Sequence, residues 1–204
     1  MRKNVILSLA LATIAGAIVT SCQQQAAANT EAVAVDSNKV SVTFESKVKY
    51  GEHLVTIGGC GDCHTPKKMS PQGPVPDMDN AFSGHPSQMP IPDIDRKMAE
   101  AKGLGVTNDL TAWVGPWGVS YAANLTPDST GLGGWKEEQF IYALRNGKHK
   151  GLPDARPILP PMPWETVRLM SDDELKAVFA YLRTVKPVHN IVPEVMPPVS
   201  APSH

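Results

Sequence analysis

Cys60-Gly61-Asp62-Cys63-His64 is the stretch on which the reading of this chain turns. Two thiols at C-x-x-C spacing, with an imidazole directly after the second, form the attachment signature of a c-type haem. Each thiol can add across a porphyrin vinyl group to make a thioether. The adjacent imidazole is then held beneath the ring, where a nitrogen reaches the iron. A dithiol or zinc pair would also use Cys60 and Cys63, but neither a second cysteine pair nor a thioredoxin-like βαβ pattern accompanies them. Outward from the motif, a covalent haem calls for export, a second axial donor, an apolar pocket and an electron partner.

The 204 residues allow one ordinary domain with extensions, and 42% hydrophobic residues suffice for a core. With 19 prolines and 16 glycines, the chain is built more of ordered loops than of long elements. A formal charge of −1 offers no clustered basic face, so nucleic acid is not expected as a partner. The count of three cysteines is odd, and the position of the third accounts for it. Cys22 follows a basic start (Arg2, Lys3), an apolar run over residues 5–19 and Val19-Thr20-Ser21. This resembles the bacterial lipoprotein signal, which implies that Cys22 is lipidated and becomes the mature N-terminus. An uncleaved anchor helix is the alternative, but the apolar run rises only about 22 Å against a hydrocarbon core of roughly 30 Å. Residues 1–21 are therefore expected as a signal peptide and 22–45, small, polar and unpatterned, as a flexible tether.

The domain is expected over residues 46–190, with a Pro-rich, disordered tail at 191–204. A first helix over 46–57, interrupted by Gly51, runs straight into the motif. A glycine inside a helix costs about 1 kcal/mol against alanine, so it marks a close approach by another element. Residues 65–80 read as a proline-rich loop (Pro66, Pro71, Pro74, Pro76). Asp93 is expected to cap a short helix over 94–102, and 110–125 to be extended or irregular. Another helix fits 136–146, stopped at Gly147 in a left-handed conformation. The last begins at Ser171, whose pairing with Glu174 makes a capping box, and buries Leu175, Val178, Phe179 and Leu182 before Pro187 ends it.

A low-spin haem needs a sixth ligand, and a neutral thioether opposite histidine favours ferrous iron and raises the potential. Downstream of the motif stand Met69, Met78, Met89, Met98, Met162, Met170 and Met196. Met162, in Leu159-Pro160-Pro161-Met162-Pro163-Trp164, has prolines on both sides that fix the backbone and reduce the entropy lost on ordering. Met89, also followed by proline, is its rival, and His85 or His149 would give bis-histidine ligation.

These pieces together resemble the class I cytochrome c domain, in particular the cytochrome c subunits and lipoproteins associated with bacterial membrane dehydrogenases. The resemblance spans about residues 46–193. It rests on Gly58-Gly59-Cys60-Gly61-Asp62-Cys63-His64-Thr65-Pro66, on Asn124-Leu125-Thr126-Pro127-Asp128 with Thr130-Gly131-Leu132-Gly133-Gly134-Trp135, and on Pro161-Met162-Pro163-Trp164. Asp173-Glu174-Leu175 and Tyr181-Leu182-Arg183 complete it. It implies an all-α cytochrome c fold of three to four helices around one covalent haem c. The first and last helices should cross with Gly51 near Tyr181 or Phe179, and the Met162 loop, with Pro161 and Trp164, should cover the far haem face. Tyr121 to Asn124 resembles the part that packs beside the haem and its propionates. A proline carbonyl is expected to orient His64, with Pro74 and Pro76 as candidates. Residues 66–119 exceed the smallest members and are expected to wrap the haem edge.

Iron with both axial positions filled leaves no site for substrate, so the chain reads as a one-electron carrier and not an enzyme. The resemblance implies reduction by a dehydrogenase or quinol-oxidising complex. It also implies oxidation by a terminal oxidase or another cytochrome, at a membrane facing the periplasm. The alternative is a five-coordinate haem acting on peroxide or sensing a gas. Di-haem peroxidases would need two attachment motifs, and this chain has one.

Overall fold

The computed structural model describes residues 43–91, 93–103 and 105–200. The signal-like segment, Cys22 and nearly all of the tether lie outside them. Helix α1 (Lys47–Ile57) starts where Ser46 Oγ accepts the Lys49 N–H at 3.2 Å. Helix α6 (Asp172–Leu182) carries the expected capping box between Ser171 and Glu174, and Tyr50 of α1 donates its hydroxyl to that glutamate at 3.2 Å. The two helices cross at Gly51, where a Cβ would lie 1.9 Å from the Ala177 carbonyl oxygen and 2.9 Å from Tyr181 Cβ. Only a hydrogen fits there, and the helix-weakening glycine is explained by that contact.

Helix α4 (Glu137–Asn146) closes the core and ends at Gly147 with φ 61°, as its sequence predicts. Leu54 and Val55 from α1, Phe140 and Leu144 from α4, and Leu175, Val178, Phe179 and Leu182 from α6 form one apolar cluster. The Phe140 and Phe179 rings meet at 5.1 Å. Fully burying side chains of this size contributes about 1.5–3 kcal/mol each, so the three helices hold the frame from which the loops depart.

The all-α expectation needs correction. Six α-helices among the described residues are joined by two small antiparallel sheets. Strands β1 (Lys67–Ser70) and β2 (Gly73–Pro76) form a hairpin where a proline-rich loop was expected. Pro74 and Pro76 alternate, so both missing N–H groups fall on one side of an edge strand and Val75 carries the pairing with Lys68. Strands β3 (Gly105–Val106), β4 (Ala112–Gly115) and β5 (Gly118–Tyr121) make the second sheet. Helix α3 (Arg96–Lys102) precedes it and is capped by Asp95, not Asp93, because the Asp95 carboxylate accepts the Met98 N–H at 3.0 Å.

The tail, expected to be disordered, is laid on the domain as far as Val199. Met196 exchanges backbone hydrogen bonds with Val119, Arg96 reaches the Pro197 carbonyl at 2.7 Å, and Val199 donates to Glu100 at 2.7 Å. Asn190 binds the Ser83 and His85 carbonyls at 2.8 Å each. Among the described residues no helix is long and apolar enough to cross a membrane.

Candidate haem site

Helix α1 runs out at Ile57, and a left-handed Gly59 turns the chain into α2 (Cys60–His64), a single helical turn. Both thiols are free and half-buried, with Cys60 packed against the core cluster. Burial raises both above the usual thiol range.

His64 is buried, and its Nδ1 lies 2.8 Å from the Ala123 carbonyl. A carbonyl oxygen only accepts, so Nδ1 carries the proton and Nε2 keeps the lone pair. Among the described residues nothing hydrogen-bonds Nε2. Burial lowers the imidazole below its ordinary range, which favours the neutral, metal-binding form, while the Ala123 bond opposes that shift. A ring whose far nitrogen is fixed by a carbonyl is the usual arrangement behind a metal-ligating histidine. The expected proline carbonyl is not the partner: Pro74 and Pro76 belong to the β1–β2 hairpin, and Ala123 stands in that place. Gly84 locks the arrangement by donating to the His64 carbonyl at 2.9 Å. It has φ +76°, and a Cβ there would lie 2.4 Å from the Ala122 oxygen and 2.7 Å from that of Ala123.

Met162 is half-buried against the same cluster as Cys60, Phe82 and Leu125. It lines a pocket with Ile158, Pro160, Pro161, Pro163 and Trp164. Around it, Trp164 N–H closes onto the Met162 carbonyl at 2.9 Å and starts α5 (Trp164–Val167). The Trp164 ring lies on Gly147 and under the Arg168 guanidinium, 5.5 Å from its centroid. Pro161 itself is exposed. Met170 is also half-buried against this cluster, with its carbonyl held by Arg145 at 2.8 Å, whereas the other methionines are placed otherwise. Met69, Met78 and Met98 are more than half exposed, Met196 presents its sulfur to Arg96, and the Met89 carbonyl is bound by His85.

His85 is fully buried and both ring nitrogens are engaged: Nε2 donates to Met89 O at 2.9 Å, and Nδ1 meets Thr111 Oγ1 at 2.8 Å. His149 lies in a 3-10 turn beyond Gly147, pushed down to about 4 by burial and then by Arg156 and Lys150. The Tyr121 ring packs against His85 at 4.9 Å, tilted by 40°, with its phenol raised by burial. The Asn124 side chain is engaged within the protein. Nδ2 donates to Thr130 Oγ1 at 3.1 Å and to the Val188 carbonyl at 2.9 Å, while Oδ1 accepts the Thr126 N–H at 2.9 Å. It therefore clamps the loop after β5 onto the segment leading to the tail. Ala123 and Gly84 were not foreseen. A backbone acceptor leaves no side-chain mark in a sequence.

The donor set fits an iron porphyrin chemically: two half-buried thiols for thioethers, a neutral imidazole lone pair, and a half-buried thioether on a rigid loop.

No family model matches the chain. Among curated proteins it is 29% identical over 76% of its length to an alcohol dehydrogenase (quinone) cytochrome c subunit of Gluconobacter oxydans. It is 27% identical over 73% to a gluconate 2-dehydrogenase cytochrome c subunit of Pantoea cypripedii. Over 41% of its length it is 36% identical to a fructose dehydrogenase cytochrome subunit of Gluconobacter japonicus. These matches cover 26%, 24% and 17% of the relatives, so the chain spans about a quarter of their length or less. Over most of its described domain, then, this chain is similar to the cytochrome c subunits of dehydrogenases.

Proposed function

We propose that the chain is a one-electron carrier holding one haem c, attached through Cys60 and Cys63 with His64 and Met162 as axial donors. The observation that carries this reading is His64: buried, neutral, with Nδ1 held by Ala123 and, among the described residues, no hydrogen-bond partner at Nε2. The bound haem supplies a one-electron couple at its iron. Everything else is the work of this chain's residues. Ala123 and Gly84 fix the imidazole plane, the proline-bracketed loop presents the Met162 sulfur, and the cluster of Leu54, Phe140 and Phe179 excludes water. A neutral sulfur and a dry pocket both disfavour the extra positive charge of ferric iron, which raises the potential.

The relatives are subunits of alcohol, gluconate and fructose dehydrogenases, and on that ground the electron donor is proposed to be a dehydrogenase or quinol-oxidising complex. A terminal oxidase or another cytochrome would accept the electron. Lipid attached at Cys22 would hold the domain at a membrane, facing the periplasm.

Acid–acetone extraction tests the attachment. The haem should stay with the polypeptide, and a Cys60→Ser, Cys63→Ser double variant should lose it. Release of haem from the unaltered protein would refute the covalent link. For the anchor, Cys22→Ser should move the protein from the membrane fraction to the soluble fraction, since several acyl chains, at about 0.8 kcal/mol per buried methylene, hold a protein firmly and none does not. A variant that still sediments with membranes would exclude Cys22 as the attachment point.

A further inference from the structure

The run 159–163 carries prolines at 160, 161 and 163, so three of its five backbone nitrogens have no hydrogen to donate. Such a stretch is stiff but hard to anchor, because another element can grip it chiefly through its carbonyls. Among the described residues, one group from outside the loop and the helix that follows it hydrogen-bonds this run. It is Ser120 Oγ on β5, 2.6 Å from the Pro160 carbonyl. The same oxygen lies 3.0 Å from Trp117 Nε1. The direction of both bonds is settled by chemistry: an indole N–H only donates and a carbonyl only accepts. The hydroxyl therefore takes the Trp117 hydrogen on a lone pair and points its own hydrogen at Pro160. Ser120 is buried, Trp117 half-buried and Pro160 exposed, so the hydroxyl grips the loop from inside the domain.

Pro160 stands two residues before Met162, and Ala123, which fixes His64, stands three after Ser120. We propose that Ser120 is a positioning residue for Met162. On this reading one short stretch, strand β5 and the residues just after it, holds the supports of both axial donors. The inference rests on Met162 being the sulfur donor, and its test separates the two.

Imidazole titration of the oxidised protein measures how firmly the sulfur is held, because added imidazole must displace it. With Pro160 exposed and Trp117 half-buried, both can turn to water, and the loss is that of a net hydrogen bond, about 0.5–1.5 kcal/mol. Ser120→Ala should therefore raise the apparent imidazole affinity by roughly two- to tenfold. It should also weaken the sulfur-to-iron band at the red end of the spectrum. Trp117→Phe keeps the Ser120 hydroxyl and removes its orienting donor together with part of the ring packed on Gly115, and should shift affinity in the same direction by less. Ser171→Ala, which removes the α6 cap, should lower thermal stability and leave imidazole affinity unchanged. If Ser120→Ala and Trp117→Phe leave the affinity at the unaltered value while Met162→Ala abolishes the band, Ser120 has no positioning role and the axial assignment stands. If Met162→Ala also changes nothing, the axial assignment itself is wrong. Should Ser120→Ala fail to fold, an unchanged affinity in Trp117→Phe alone overturns the proposal.

Discussion

Met162→Ala should abolish the sulfur-to-iron absorption at the red end of the oxidised spectrum and lower the reduction potential. The effect is electrostatic. A neutral thioether accepts electron density from ferrous iron and does little for ferric iron. Alanine opens the sixth position to water, which favours the more positive state. The shift expected is on the order of 100 mV, a little under two tenfold steps at about 59 mV each for one electron. Potentiometric titration of the two proteins measures it. Equal potentials and an unchanged spectrum would pass the ligand role to another residue. Met89 and Met170 are then the two to examine, because Met69, Met78 and Met98 are largely exposed and the Met196 sulfur faces Arg96.

Gly51→Ala is the second large effect, and its sign runs against helix propensity. Within an isolated helix the change would gain about 1 kcal/mol. Here the new Cβ would lie 1.9 Å from the Ala177 carbonyl oxygen, and backbone cannot rotate away as a side chain can. The helices must separate, loosening Leu54 and Val55 from the core they share with Leu175 and Val178. Overpacking of this kind costs about 1–3 kcal/mol, and the upper end applies where backbone meets backbone. In a domain of this size 1 kcal/mol corresponds to roughly 2–4 °C, so the thermal midpoint should fall by about 5–12 °C. Because α1 leads directly into Cys60, the yield of haem-loaded protein should fall too. A variant that melts at or above the parent temperature would show that the crossing is not as close as described.

The parts of this molecule that were legible in its sequence are those where a side chain or a glycine announces its own job. Ser171 with Glu174 marks the start of α6, Gly147 the end of α4, and Gly51 the helix crossing; each is found where expected. The haem motif also sits as expected, at the end of the first helix. What was illegible depends on backbone. Residues 110–125 read as extended or irregular, and β4 and β5 lie there. Their pairing into a sheet was not legible, because both are short and buried on both faces along most of their length and show no polar alternation. Pro74 and Pro76 read as breakers, yet on an edge strand their missing hydrogens are not needed. Asp93 and Asp95 flank Ile94, and only the geometry at Met98 chooses Asp95 as the cap. The acceptor for His64 is an alanine carbonyl, which no composition or spacing can single out. A proline-rich tail reads as disordered. It is held instead by its own carbonyls and N–H groups against Arg96, Glu100 and Val119.

The central claim is iron closed on both faces by this chain's own side chains. The visible spectrum of the reduced protein, recorded before and after carbon monoxide, tests it most directly, with a pyridine haemochrome on the same sample to fix the haem type. The account predicts a haem c haemochrome, a low-spin reduced spectrum and no change on adding the gas, because His64 and Met162 already occupy the two positions. A shifted Soret band on exposure to carbon monoxide would mean an open coordination site, and the electron-carrier reading would give way to a gas-binding or catalytic one.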